Sequence, residues 1–100
     1  MTAASVWDPA RQYRLHPRVA LRPEPFGALA YHYDSRRLTF LRSPLLVDVV
    51  KGLEDHACAA TAVDILVPQP RHASFLEALS ALAESHFIQP IEAGDQDADR

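Results

Sequence analysis

The sequence predicts one small α+β domain in which a three-stranded antiparallel sheet is followed by three helices. Residues 19–41 show the two-residue alternation of strands, whereas residues 43–86 contain apolar residues spaced three and four apart, as in helices. The chain has 100 residues, 48% of them hydrophobic, which is enough for one core and too little for two. No segment approaches the roughly 20 consecutive apolar residues of a membrane-spanning helix.

The first strand is predicted around Val19 and Leu21, which alternate with smaller or charged neighbours. Pro23 and Pro25 end this strand, because proline donates no backbone hydrogen bond and biases the residue before it toward an extended conformation. A short extended link then leads into the second strand.

The second and third strands are predicted to form a hairpin at residues 26–41, FGALAYHYDSRRLTFL, with Asp34 and Ser35 at its tip. One face carries large apolar side chains and the other is smaller and more polar. We expect the large face, including Leu38 and Phe40, to belong to the core. Asp-Ser is a weak turn signal, so a longer loop stays open as an alternative. The expected pairs are Leu29–Phe40, Tyr31–Leu38 and Tyr33–Arg36 on the large face, and Ala28–Leu41, Ala30–Thr39 and His32–Arg37 on the other.

The third strand, RRLTFL at residues 36–41, would lie at an edge of the sheet. It carries few of the devices with which natural proteins protect such an edge, and an isolated hairpin is at best marginally stable in water. The sequence therefore raises the question of what covers this edge.

The first helix is predicted to begin at Ser43-Pro44, because serine suits the N-cap and proline suits the first helical position. Its apolar stripe is Leu46, Val49, Val50 and Leu53. The second helix is expected to open at Thr61 and Asp64, which resemble a capping box, and to end before Pro68.

The third helix shows the clearest pattern. Ser74 and Glu77 form a capping pair, although a start just after Pro70 stays open. Phe75, Leu79, Leu82 and His86 fall within one narrow arc of the helix. We expect His86 to be a partly buried core residue rather than a metal ligand.

The predicted domain covers residues 13–91, with a loose arm at residues 1–12 and a disordered acidic tail at residues 92–100. Seven arginines and two carboxylates make residues 11–42 basic, whereas residues 43–100 carry ten carboxylates against three basic side chains. The start lacks the basic and apolar segments of a secretory signal, and the single cysteine, Cys58, forms no intramolecular disulfide. Both observations favour the cytoplasm.

Catalytic and metal-binding patterns are missing from the sequence. The five histidines are scattered, and His56 with Cys58 has no second pair of ligands to complete a metal site. The three glycines are far apart, so no phosphate-binding loop is predicted. We therefore expect no catalytic residues, no metal and no cofactor.

The order of three strands and three helices also suggests a winged helix-turn-helix topology, which raises DNA binding as an alternative function. In such proteins basic side chains contact phosphates around a recognition helix. Here the third helix carries Glu77 and Glu84, and the tail is acidic. Nucleic acid is therefore the less favoured partner.

The segment RLHPRVALRPEPFGALAYHYDSRRLTFLRSPLLVDVVKGL, residues 14–53, resembles the mycofactocin precursor-peptide chaperones, a branch of the PqqD-like family of precursor recognition elements. The most specific matches are LHPRVALRPEPFGAL and RLTFLRSPLL. The later segments TAVDIL and FLEALSALAESHFI agree with the general family pattern. The resemblance extends over residues 12–91.

This resemblance implies a winged helix-turn-helix-like fold and a non-catalytic chaperone that binds the leader of a ribosomally made precursor peptide. The leader would add as a strand beside the third strand, next to the third helix, and be presented to a radical S-adenosylmethionine maturase. The iron–sulfur clusters would belong to that maturase. No membrane partner is expected, and a homodimer formed by strand exchange stays open. The implied peptide-binding residues are Arg36, Arg37, Leu38, Thr39, Phe40 and Leu41 on the strand and Phe75, Ala78, Leu79 and Leu82 on the helix.

Overall fold

The computed structural model describes residues 7–91, which form an α+β domain with two small sheets and three helices. A three-stranded antiparallel sheet has the order β2-β3-β4, and β1 pairs with β5 in a separate two-stranded sheet. The predicted fold class is therefore confirmed, with the β1–β5 pair as an addition. The strands are β1 (Tyr13–Leu15), β2 (Val19–Glu24), β3 (Gly27–His32), β4 (Leu38–Leu41) and β5 (Ile88–Pro90), and the helices are α1 (Pro44–Gly52), α2 (Ala59–Leu66) and α3 (His72–Glu84).

The predicted register of the β3–β4 hairpin is confirmed, since Leu29 lies opposite Phe40 and Ala30 lies opposite Thr39. The longer alternative for the connection is the one observed. The N–H of His32 donates to the carbonyl of Arg37, which closes a four-residue loop between them. Arg36 in this loop has a φ of 64°, in the left-handed region.

The expectation that the large face of the hairpin is buried is wrong. The side chains of Leu38 and Phe40 are 59% and 53% exposed, whereas Leu41 is 2% exposed and Ala28 and Ala30 are buried. Helix α1 packs on β3 and supplies the bulk that the inner face of the sheet lacks. Small side chains on that face allow the helix to approach closely, so large side chains are left on the outer face.

Helix α1 begins as predicted, because the Ser43 hydroxyl accepts the N–H of Leu46 at 3.2 Å and Pro44 occupies the first turn. Val49, Val50 and Leu53 of its apolar stripe are buried in the core. None of the helices within residues 7–91 has the length and apolar character needed to cross a membrane.

The starts of the two later helices differ from the capping-box predictions. Helix α2 begins at Ala59 with Cys58 at its N-cap, two residues before the predicted Thr61. Helix α3 takes the earlier alternative and begins at His72 after a 3-10 turn at Gln69–Arg71. The Ser74 hydroxyl donates to the carbonyl of Arg71 instead of capping the helix.

The described part of the amino-terminal arm, residues 7–12, packs on the domain. The ring of Trp7 lies 5.2 Å from that of the buried Tyr13, whose hydroxyl accepts the N–H of Asp8. The N–H of Ala59 donates to the carbonyl of Arg11. The predictions for the first six residues and for the acidic tail, residues 92–100, lie outside the described residues.

Helix α3 ends at Glu84, two residues before the end of its predicted apolar arc, and His86 is exposed rather than partly buried. His86 adopts a φ of 66°. The N–H of Phe87 donates to the carbonyl of Leu82, and the N–H of His86 donates to the carbonyl of Ala83. These are the two bonds of a Schellman motif, which places a left-handed residue just past the helix. The motif turns the chain so that Phe87 and β5 enter the core.

We expect His86→Gly to raise the free energy of unfolding by about 0.5–1 kcal/mol, because glycine adopts a positive φ without the steric cost of a Cβ atom. Urea denaturation followed by circular dichroism measures this gain. His86→Ala is the matched control, since it also removes the imidazole but keeps the Cβ atom. Equal stability of the two variants would contradict the backbone explanation.

Candidate functional site

The outer edge of β4 offers unpaired backbone groups. In an antiparallel ladder, residues alternate between bonding to the neighbouring strand and facing away from it. Since the N–H of His32 bonds to the carbonyl of Arg37, the alternation directs the backbone of Thr39 and Leu41 toward β3. The N–H and C=O groups of Leu38 and Phe40 consequently face away from the sheet. Within residues 7–91, no strand pairs with this edge.

The opposite edge of the sheet, along β2, is less suitable for pairing. The N–H of Tyr33 bonds to the carbonyl of Arg18, so Val19, Leu21 and Pro23 face outward by the same alternation. The N–H of Val19 already donates to His16, and Pro23 has no N–H. Of these three outward positions, only Leu21 retains a donor. An added strand would therefore find two backbone donors on β4 but only one on β2.

The outer face beside β4 is an exposed apolar patch, made of Phe26, Leu38 and Phe40 and continued by the aromatic pair Tyr31 and Tyr33. The rings of Phe26 and Phe40 meet edge to face at 5.6 Å. These two rings line a groove of about 450 Å³ together with Arg42, whose guanidinium lies 5.6 Å from the centre of the Phe40 ring. Exposed aromatic groups of this kind are typical of binding surfaces.

The structure places the predicted strand residues in two environments. Arg36, Arg37, Leu38 and Phe40 are exposed and Thr39 is partly exposed, whereas the side chain of Leu41 lies in the core. The direct contact expected from the Leu41 side chain is therefore not available in this structure.

The predicted helix residues lie mainly inside the protein. The core contains the side chains of Phe75, Leu79 and Leu82, and Ala78 on the flank is partly buried. The end of α3 nevertheless lies near the start of β4, because Glu84 and Arg37 line a common cleft.

This common cleft, which we term the histidine cleft, has a volume of about 610 Å³. It is lined by His16, His32, Asp34, Ser35, Arg37, Glu84, Ser85, His86 and Gln89. The imidazole rings of His16 and His32 lie 4.5 Å apart. Burial lowers the pKa of His16, and the neighbouring His32 lowers it further. His16 therefore favours its neutral form in the folded protein.

Metal chemistry has no support in the described part of the chain. No group of three or more histidine, cysteine, aspartate or glutamate side chains within residues 7–91 is arranged to hold a metal ion. Cys58 contacts the Thr61 hydroxyl at 3.2 Å, and this hydrogen bond lowers the pKa of its thiol. His56 and Cys58 therefore gain no further ligands from the fold.

Sequence reasoning missed the outer-face contribution of Phe26 and Arg42 and the meeting of His16 with His32. Ala28 and Ala30 were the available signal for the outer face. Small residues at alternate positions of a strand lie on one face and leave room for another element to pack there, which would have indicated that the large side chains face outward. The histidine cleft had no comparable signal, since its members are spread along the chain from His16 to Gln89.

Comparison with known proteins gives a consistent result. The profile of the peptide chaperone MftB family matches residues 12–89. The chain is 48% identical over 95 residues to the peptide chaperone MftB of Mycobacterium ulcerans, covering 90% of this chain and 84% of that protein. It is 45% identical to the protein of the same name from Mycobacterium tuberculosis over 92 residues, covering 87% and 81% of the two chains. The corresponding protein of Mycolicibacterium smegmatis is 44% identical over 85 residues, covering 84% and 83%. No solved structure gives a significant match.

Proposed function

Since this chain belongs to the peptide chaperone MftB family, we propose that it binds the leader of a ribosomally made precursor peptide as an added strand beside β4. The family consists of peptide chaperones rather than enzymes, so a peptide is the expected partner. The bound precursor is then presented to a radical S-adenosylmethionine maturase in mycofactocin biosynthesis. We place this step in the cytoplasm, and the maturase supplies the cofactors.

The observation that carries the proposal is the open edge of β4. Leu38 and Phe40 together offer two backbone donors and two acceptors to an incoming strand. Strand addition satisfies such groups in the same way that a neighbouring strand would. The absence of a proline from β4, in contrast to Pro23 on β2, agrees with an edge that is kept open for pairing.

Backbone pairing alone does not account for useful affinity. Each hydrogen bond contributes about 0.5–1.5 kcal/mol, whereas association and ordering of a flexible peptide cost about 4–15 kcal/mol. Micromolar binding requires a net of roughly −8 kcal/mol, so side chains must supply the difference. The exposed rings of Phe26 and Phe40 are suited to this role, because an added strand places every second side chain on the same outer face.

Amide hydrogen exchange with the leader of the precursor peptide encoded nearby tests this proposal. In the free protein, we expect the outward N–H groups of Leu38 and Phe40 to exchange rapidly, and that of Thr39 to be protected by its bond to β3. Addition of the leader should slow exchange at Leu38 and Phe40 strongly and leave Thr39 nearly unchanged. Two-dimensional NMR of the labelled protein resolves the three amides separately.

Thr39 serves as the internal control, because general stabilisation of the domain by any ligand would slow all three amides together. Binding of the leader without selective protection of Leu38 and Phe40 would contradict strand addition. The absence of any binding would contradict the proposed function as a whole.

A further inference from the structure

The histidine cleft contains a nearly buried side chain with an uncommitted hydrogen-bond donor. His32 is 3% exposed, and its Nδ1 accepts the N–H of Asp34 at 3.2 Å. A nitrogen that accepts a hydrogen bond carries no proton, so the neutral ring holds its proton on Nε2. This Nε2–H has no hydrogen-bond partner among residues 7–91.

The same donor retains access to the cleft. Within the described part of the chain, no fully enclosed side-chain nitrogen or oxygen lacks a partner. The Nε2 atom of His32 therefore keeps some contact with solvent, and His32 lines the cleft. A ligand that enters the cleft thus meets a donor held in place by the core.

His16 adds a second donor of the same kind. Its Nδ1 accepts the N–H of Arg18 at 3.0 Å, which again leaves the proton on Nε2. The two imidazole rings, 4.5 Å apart, accordingly line the cleft with the same nitrogen, Nδ1, accepting a backbone N–H. This tautomer suits hydrogen-bond donation and not metal binding through Nε2.

The cleft contains one guanidinium, that of Arg37, beside the carboxylates of Asp34 and Glu84. The carboxylate of Asp34 is already paired with Arg18 at 3.0 Å, and Glu84 makes an interaction of its own. The guanidinium of Arg37 has no carboxylate partner within residues 7–91 and can offer a forked pair of donors. His86 at the end of α3 lines the same space.

We propose that the histidine cleft is a carboxylate-binding site formed by the His16 and His32 donors and the Arg37 guanidinium. Arg37 immediately precedes β4, so one end of a strand added there lies at the cleft. In the complex, which rests on the proposed function, the ligand is a carboxylate of the bound peptide, either an aspartate or glutamate side chain or the C-terminal carboxylate. The cleft then fixes the position of the peptide along β4, which repeating backbone bonds alone do not do.

Acetate tests the site without a peptide. We expect sodium acetate to shift the imidazole resonances of His16 and His32 in a saturable manner, whereas sodium chloride at equal ionic strength does not. Arg37→Gln should weaken the acetate effect and leave the remaining amide spectrum of the folded protein in place. Equal shifts with the two salts, or none with either, would overturn the proposal.

Leader peptides identify the source of the carboxylate. Each aspartate or glutamate is replaced in turn by asparagine or glutamine, and a further peptide carries a C-terminal amide. One of these peptides should bind at least about tenfold more weakly to the native protein. The same change should have little effect on Arg37→Gln, because both substitutions remove one shared contact.

The outcomes separate the two proposals. Tight binding of every altered peptide would overturn the carboxylate site while strand addition stands. If the unaltered leader does not bind, the proposed function fails, and the acetate titration alone decides whether the cleft takes a carboxylate.

Discussion

Gly27→Ala is expected to lower the free energy of unfolding by about 3 kcal/mol or more, because backbone strain and a steric overlap act together. Gly27 has a φ of 150°, a conformation that side chains rarely adopt. A Cβ atom built there lies 2.1 Å from the carbonyl oxygen of Leu41 and 2.9 Å from the nitrogen of Ser43. Both neighbouring atoms belong to the backbone, so the steric overlap can be relieved only if β4 or the start of α1 moves. Thermal and urea denaturation measure the loss.

Gly52→Ala is the matched control in the same domain. Gly52 lies at the end of α1 with a φ of −96°, and a Cβ atom there meets its nearest neighbour, Leu66 Cδ1, at 4.0 Å. We expect this variant to be as stable as the native protein or more stable by up to about 1 kcal/mol. A Gly27→Ala variant as stable as Gly52→Ala would contradict the close approach of β3 and β4 at this point.

The hairpin illustrates how far the sequence predicts this fold. Alternation and loop length determine the pairing of Leu29 with Phe40, because both are local properties of the chain. The choice of buried face is not local, since it depends on which element packs against the sheet. Helix α1 covers Ala28 and Ala30, so the smaller face is inside although its own side chains contribute little volume.

Strand β1, as the partner of β5, and the histidine cleft were beyond prediction for a related reason. Strand β1 has only three residues, Tyr13–Leu15, and such a segment is too short to show a period. Its partner β5 becomes available only because the Schellman motif at His86 redirects the chain after α3. The open edge of β4 was predicted. Which of its residues direct their backbone N–H and C=O groups outward could be assigned only from the hydrogen bond between His32 and Arg37 that the structure shows.

Phe40→Pro is expected to reduce leader affinity by at least about tenfold relative to Phe40→Ala. The N–H of Phe40 faces away from β3, so proline removes a donor to the added strand and no donor to the existing sheet. The pyrrolidine ring also occupies space where the peptide backbone would approach. Isothermal titration calorimetry with the same leader peptide measures both variants.

The two controls distinguish the backbone contribution of Phe40 from that of its ring and from loss of structure. Phe40→Ala keeps the N–H but removes the aromatic contact with Phe26, so its own loss of affinity reports the outer face. Thr39→Pro lacks the N–H that bonds to β3, and we expect it to destabilise the sheet itself. Phe40→Pro should therefore denature at nearly the same temperature as Phe40→Ala while binding more weakly. Equal affinities of these two variants would show that the peptide does not pair with this edge, since the donor at residue 40 is their decisive difference.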